Sequence, residues 1–391
     1  MEEGFLFLCR NHQDILDGRL RMRHRQQILD HYCSTQADHI TDDLGDVPFF
    51  RSNALVSKQR RLLYCPVGKI ASTFLTRFLV AAMETNPVVS PYAISIEKAL
   101  RMRRKHTGKS VLFTPLNRLV PAGWREKWFL ESLTRVLFVR CPFKRLWSAY
   151  VDKLLLPNPS YWQSWGQASM NGSKASTAPD SRDSAKEPVR SECGQSVTFS
   201  QFISFVLSDL HRRDTHIRPV AWECSPCYVN YDVIGHVETL PSDVMHVTQL
   251  LRWNSSTLRG VRWEDEHAAD TIRDGVRNVF DKWSSRIARC MSVTEAGRRL
   301  WRVSQLRGFI GESQQYPFTG RQAHTLAAAV MERALLEARS RSRGHEKQLR
   351  RQVNSAFLAA YTTVSAELKE KIRKLYRADF QMFGYDFLLH L

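Results

Sequence analysis

Twice within the first 150 residues a short apolar run stops at a turn and resumes as a helix, an order that restricts the chain to folds in which strands feed helices. The first run, Leu62-Leu63-Tyr64-Cys65-Pro66-Val67, is followed at once by Gly68-Lys69. Beyond it Phe74, Leu75, Phe78, Leu79, Ala82 and Met83 recur at intervals of three and four, the spacing of a buried helix face. The second, Val136-Leu137-Phe138-Val139, meets Arg140, Cys141 and then Pro142, a residue suited to the first position of a helix. Phe143, Leu146, Trp147, Tyr150 and Leu154 supply the next apolar stripe, and residues 228–234, ending at Gly235, read as a third strand. This alternation predicts an α/β fold: a P-loop-like central parallel sheet flanked by helices in one large domain. Ligands of such sheets sit beyond the carboxyl ends of the strands, which points to residues 68–73 and to Arg140.

Around that core the organisation is coarser. Residues 19–33 predict a basic amphipathic helix with Met22, Gln26, Leu29 and Cys33 at helical steps, so residues 1–50 are read as an N-terminal helical segment, stem-like by the resemblance given below, and residues 51–391 as the main domain. The stretch 160–196 is rich in Ser, Gly, Asn, Asp and Pro and predicts a solvated, disordered loop insertion. From Trp253 onward the pattern is mostly helical, with an Arg-rich stretch at 332–351 and a closing helix carrying Leu368, Ile372, Leu375 and Tyr376.

The 57 Lys and Arg against 39 Asp and Glu leave a net charge of +18, which calls for a polyanionic partner. No basic stripe interleaved with aromatics and no reader motif accompanies that charge, so nucleic acid is set aside, and a phosphorylated nucleotide, an acidic glycan or an anionic membrane stays open. Of eight cysteines only Cys224 and Cys227 form a C-x-x-C pair. No second pair completes a zinc site, and a bridge to a distant cysteine is the preferred reading over a metal. No run approaches a membrane span, and the apolar residues 4–9 are too short for one. The sequons at Asn171 and Asn254 fit a secretory lumen.

The turn Gly68-Lys69-Ile70-Ala71-Ser72-Thr73 can hold an anion with backbone N–H groups at a helix N-terminus and the Lys69 ammonium. It is no Walker A loop, since it has one glycine and its lysine precedes the small residues. An ordinary helix cap by Ser72 or Thr73 is the competing reading. At the second corner Arg140 closes an apolar strand and Ser148 follows two turns into the helix, an arrangement able to clamp one phosphate. Lys144 and Arg145 read as solvated surface charge.

Both segments resemble the two nucleotide-binding signatures of sulfotransferases that use PAPS (3′-phosphoadenosine-5′-phosphosulfate). Residues 69–77 are similar to the 5′-phosphosulfate loop and residues 135–154 to the 3′-phosphate segment. The 3′-phosphate segment closely resembles that of the membrane-bound carbohydrate sulfotransferases that modify chondroitin, dermatan and the HNK-1 epitope. Further similarity runs through Arg23 to Leu29 with Cys33, through Asp214-Thr215-His216-Ile217-Arg218-Pro219, Cys224-Ser225-Pro226-Cys227 and Tyr231-Asp232-Val233-Ile234-Gly235, and through Leu375-Tyr376 to Phe383-Gly384-Tyr385. The sequence departs from that pattern at Gly68, where the family usually has Pro, at Ser72 for Cys, at Phe74-Leu75 and at Ile217 for Trp.

The resemblance implies a carbohydrate O-sulfotransferase with PAPS as donor, no metal, and an acidic glycan or proteoglycan as acceptor, chondroitin or dermatan favoured. Ser72-Thr73 is closer to the uronyl 2-O-sulfotransferase loop. It further implies that Lys69, Ile70, Ala71, Ser72, Thr73 and Arg77 hold the 5′-phosphosulfate, and Arg140 and Ser148 the 3′-phosphate. Lys69 would neutralise charge on the bridging oxygen, and His216 would be the general base. His106, Glu97 and Asp214 remain alternatives to His216, and Arg101, Arg103, Arg104 and Lys105 are candidates for a glycan groove. A Golgi location with membrane association is the family's expectation, although no anchor is seen in this sequence. A catalytically inactive PAPS- or glycan-binding relative is the competing function.

Overall fold

The computed structural model describes residues 18–35, 47–83, 90–99, 113–174, 193–208, 214–253, 262–320 and 325–387. His106, the basic residues 101–105, the sequon at Asn254 and the apolar residues 4–9 lie outside them. The described chain divides into two compact units.

The first unit holds the described residues of Met1–Arg145, Arg212–Trp263 and Ile372–His390. Its sheet has the order β3-β1-β2-β4-β5. The strands are β1 (Leu55–Ser57), β2 (Leu62–Cys65), β3 (Thr114–Pro115), β4 (Thr134–Val139) and β5 (Val233–His236). β2, β4 and β5 are parallel, with Cys65 opposite Leu137 and Val139 opposite His236. All four residues of β2 and of β5 are buried, as are the last four of β4, the unbroken apolar run of strands covered on both faces. The expected parallel sheet is therefore present at its centre. β1 pairs antiparallel with both β2 and β3 and extends one edge.

The third strand begins later than its apolar residues suggest. Pro226–Val229 is a short helix, and Asn230 turns through positive φ (53°) before β5 starts. Within β5, Gly235 lies against the Phe138 ring, where a Cβ would come within 2.3 Å.

The helices of this unit include α1 (Gly18–Thr35), α2 (Val47–Asn53), α3 (Ser72–Met83), α4 (Trp124–Glu131) and the start of α5 (Pro142–Tyr150), which runs on into the second unit. α1, read from sequence as part of a stem, packs on β5. Its buried Arg21 and Arg25 share Asp243 at 3.2 and 2.8 Å, and Arg25 also donates to the Ile234 carbonyl. Both cysteines of the C-x-x-C pair bridge to distant partners, Cys224 to Cys65 at the end of β2 and Cys227 to Cys33 of α1.

The second unit, the described residues of Leu146–His211 and Glu264–Lys371, is helical. Trp162, Trp165, Phe199, Phe202 and Tyr361 form its aromatic core. Here α6 (Phe199–Val206) starts with a capping box between Thr198 and Gln201, and Cys193 is bridged to Cys290. The loop expected from residue 160 is instead helical through Lys174, because Trp162 and Trp165 are buried anchors within a polar stretch. Residues 175–192 lie outside the described set.

Candidate active site

The turn after β2 departs from ordinary backbone geometry. Lys69 (φ 65°) and Ala71 (φ 51°) are both left-handed without being glycine, at a cost of about 1–3 kcal/mol each. Ile70 between them is buried and anchors the turn, while Lys69, Ala71 and Ser72 are half-buried and Thr73 is exposed. The Leu75 N–H donates to the Ala71 carbonyl at 2.9 Å and the Thr76 hydroxyl to that of Ser72 at 2.7 Å, so the helix is established within one turn. Left-handed residues in such turns gather N–H groups into an anion-binding concavity, here at the N-terminus of α3, whose first turn carries no acidic residue. Arg77, one turn further on, is buried.

Because β2 and β4 are neighbours, their carboxyl ends lie side by side. Arg140 crosses between them, its Nη1 donating to the Lys69 carbonyl at 3.2 Å. Burial pushes its guanidinium below the ordinary value, with Glu238 and Tyr385 opposing; arginine nonetheless stays charged. Glu238 accepts from the Cys141 N–H (3.3 Å) and the Tyr385 hydroxyl (3.0 Å). His236, at the end of β5, is held well below its ordinary value by burial and then by Arg25 and Arg21, so its ring is neutral where it packs on Tyr385. Ser148 is half-buried on α5, two turns past Arg140.

A third loop completes the cluster, and the residue that fixes it was misread from sequence. Arg145 is not solvated surface charge: it is 1% exposed. Its Nε donates to the Gly68 carbonyl (3.0 Å), Nη2 to that of Thr215 (2.8 Å) and Nη1 to that of Arg218 (2.5 Å), with Glu223 at 3.7 Å. One guanidinium thus joins the anion turn to the loop that carries His216. The sequence held a signal for this, since position 145 falls three after Pro142 and four before Ala149 on the buried face of α5.

His216 stands directly on the turn. A Cβ at position 68 would lie 2.7 Å from the Thr215 carbonyl oxygen and 2.9 Å from the His216 Cα, so only glycine permits this approach. His216 Nδ1 is 2.7 Å from Asp214 Oδ1, which also accepts the His216 backbone N–H at 2.9 Å; both side chains are 26% exposed. With Nδ1–H donated to Asp214, the neutral ring keeps its acceptor lone pair on Nε2. Glu97 is exposed. The structure therefore brings together the turn at 68–73, Arg140 and His216, and it adds Arg145, Glu238 and Asp214 as their partners.

A family model described as the sulfotransferase family matches residues 52–289, more than half of the chain and including all three loops. The chain belongs to the sulfotransferase family. It is similar to carbohydrate sulfotransferase 8 of Homo sapiens, 28% identical over 263 residues that make up 65% of this chain and 56% of that protein. To carbohydrate sulfotransferase 12 of Mus musculus it is 25% identical over 295 residues, 71% of this chain and 67% of the other. Carbohydrate sulfotransferase 14 of Homo sapiens is 30% identical over 200 residues, 51% and 46% of the two chains. The matched segment spans roughly half to two thirds of these relatives' own lengths. No solved structure matches the chain.

In this member of the family the departure at Gly68 has a packing cause, the close approach of Thr215 and His216. Among the described residues no cluster of three or more His, Cys, Asp or Glu is arranged to hold a metal, and no helix is long and apolar enough to cross a membrane.

Proposed function

We propose that the chain transfers a sulfuryl group from PAPS to a hydroxyl of a carbohydrate chain, an acidic glycan or proteoglycan of the chondroitin or dermatan kind. The observation that carries this reading is the contact of Arg140 with the Lys69 carbonyl, which sets a cation against the anion turn. A nucleotide with negative charge at both its 5′ and 3′ positions matches two adjacent strand-to-helix corners. Lys69, with the backbone of Ile70 and Ala71 and the hydroxyls of Ser72 and Thr73, would hold the 5′ end. Arg140 and Ser148 would hold the 3′-phosphate, and by resemblance Arg77 would support the first group. When bound, PAPS supplies the sulfuryl group together with a phosphate that leaves readily.

The protein's own part is positioning and charge stabilisation. Lys69 neutralises negative charge that develops on the donor side. His216 accepts the acceptor hydroxyl's proton at Nε2, and Asp214 fixes the tautomer that makes this possible. The pair at 214 and 216 supports His216 over Asp214 as the base, because the carboxylate is already committed to the imidazole and to a backbone N–H. The three disulfides named above suit an oxidising compartment such as the Golgi lumen, and Asn171 offers a glycosylation site there.

The test is transfer of label from PAPS to desulfated chondroitin, dermatan, heparan and N-glycan acceptors. Label in at least one glycan, lost in both Lys69→Ala and Arg140→Ala, is the expected result. Transfer that survives both substitutions removes the site assignment. PAPS binding without transfer to any acceptor selects the inactive binding relative.

A further inference from the structure

The helix α4, Trp-Arg-Glu-Lys-Trp-Phe-Leu-Glu, buries Glu126 and Leu130 and turns Trp124 and Trp128 outward, 77% and 71% exposed. Side chains four apart on a helix share a face, with about 5–6 Å between their Cβ atoms, so the two indoles form one platform. Large solvent-facing tryptophans in a pair mark a surface that binds something, and tryptophan leads the residues that carry binding energy. Cations accompany them. The Arg125 guanidinium lies 5.3 Å from the centre of the Trp124 ring, and Lys127 is exposed between the two indoles in sequence. Of the two acids of this helix, Glu126 is buried, ion-paired with Arg51 at 2.6 Å, and accepts from the Tyr228 hydroxyl, while Glu131 is exposed at the last position and offsets one of the two cations, so the open face keeps a net positive charge.

That buried pair also fixes where the platform stands. Arg51 belongs to α2, and the same short helix reaches both halves of the candidate site. Asn53 donates to the Pro66 carbonyl at 2.9 Å, two residues before Gly68. The Phe49 ring lies 4.0 Å from the Arg218 guanidinium, two residues after His216. The helix that carries the indoles is therefore tied, through Arg51, to a helix whose Asn53 and Phe49 reach the residues beside Gly68 and His216.

We propose that Trp124 and Trp128, with Arg125 and Lys127, bind the part of an acidic glycan chain that lies beyond the reacting sugar. This inference rests on the carbohydrate-acceptor reading above and extends it from one sugar to a polymer. Indole faces cover the apolar faces of pyranose rings, and the flanking cations complement carboxylates or sulfates along the chain. A lipid surface is the weaker occupant, because the large exposed hydrophobic residues of α4 are the two indoles alone, with no exposed aliphatic side chain to enter acyl chains.

Binding by the full chain tests this without requiring turnover. Desulfated chondroitin polymer, a short oligosaccharide of the same sugars, PAPS, and vesicles of phosphatidylserine with phosphatidylcholine are the four probes. The double variants Trp124→Ala/Trp128→Ala and Arg125→Ala/Lys127→Ala alter exposed side chains only, and unchanged thermal unfolding confirms their fold. Polymer binding should weaken about tenfold in each, with the short oligosaccharide and PAPS bound as before. Undiminished polymer binding, weakening of all glycans and PAPS alike, no polymer bound by the unmodified chain, or vesicle binding that disappears with the indoles would each overturn the proposal. Label transfer measured on the same samples reports separately on the enzymatic reading: polymer held by the platform but never sulfated sinks that reading and leaves the platform standing.

Discussion

The two strand-to-helix corners reach the same edge of the sheet by opposite means. The corner after β2 departs from favourable backbone geometry, with Lys69 and Ala71 left-handed and a glycine where no Cβ fits, the kind of turn whose N–H groups suit an anion. The corner after β4 carries no such strain; Pro142 enters the helix directly, and the corner's contacts to its neighbour are made by the side chains of Arg140 and Arg145. A turn that binds through its backbone must be held by something else, and here the second corner holds the first, with two arginines donating to the carbonyls of Lys69 and Gly68.

The sharpest way to break that division of labour is Arg145→Met. It leaves Glu223 buried without its cation and three carbonyls without their donor, so a loss of about 3–5 kcal/mol in denaturant unfolding is expected along with all measurable transfer. Arg145→Lys restores the charge without the fork and should recover stability more than turnover. Next in size is Gly68→Ala, which presses on Thr215 and His216. Sulfuryl transfer is expected to fall about a hundredfold in kcat with a smaller change in KM for PAPS, because the histidine moves more than the anion turn. Equal losses in both would mean that the turn itself had collapsed. Asp214→Asn keeps the shape of the loop but no longer enforces the Nδ1–H tautomer, and should lower kcat about tenfold or more and alter its pH profile with unfolding unchanged. Ala71→Gly relieves one left-handed residue and should raise stability by about 1 kcal/mol at most, while loosening PAPS binding.

A separate effect, on stability and its pH dependence alone, concerns the anchor of the His216 loop. That loop leads into α7 (Val220–Cys224), whose first N–H groups, on Val220 and Ala221, donate to the buried Asp379 of the short helix Arg377–Met382 at 2.8 Å each. Burial raises the Asp379 carboxyl from 3.8 to about 6 against the pull of those N–H groups and of Arg145. The folded chain therefore holds this proton more tightly than the unfolded one. Its contribution to stability is complete below about pH 4 and is lost as pH rises through about 6, and Asp379→Asn should flatten that part of the stability profile.

Much of this architecture can be read from the residues. The unbroken apolar runs of β2 and β4 and the three-and-four spacing after each identify the corners, and corners on parallel strands must share an edge. What escapes is whatever depends on distant partners. β1 and β3 are three and two residues long, too short to show a period, and exist because β2 offers them a ladder. Arg145 has the composition of a surface residue and the position of a core one; only the carbonyls of Gly68, Thr215 and Arg218 decide between them. In the same way α1 reads as a free basic helix until Asp243, 218 residues from Arg25, supplies its counter-charge. The helices from residue 159 to 174 are hidden by their polar surface, since two tryptophans hold them in place.

The neighbouring Cys224 and Cys227 impose an order on biosynthesis. Cys33 and Cys65 must wait 194 and 159 residues of translation for their partners, and during that interval the nearest cysteine in sequence to Cys33 is Cys9 and the nearest to Cys65 is Cys33. The N-terminal helix and the strand beneath the anion turn thus remain unlocked until a single short stretch of chain emerges, which makes premature pairing among Cys9, Cys33 and Cys65 the error that a thiol isomerase has to undo.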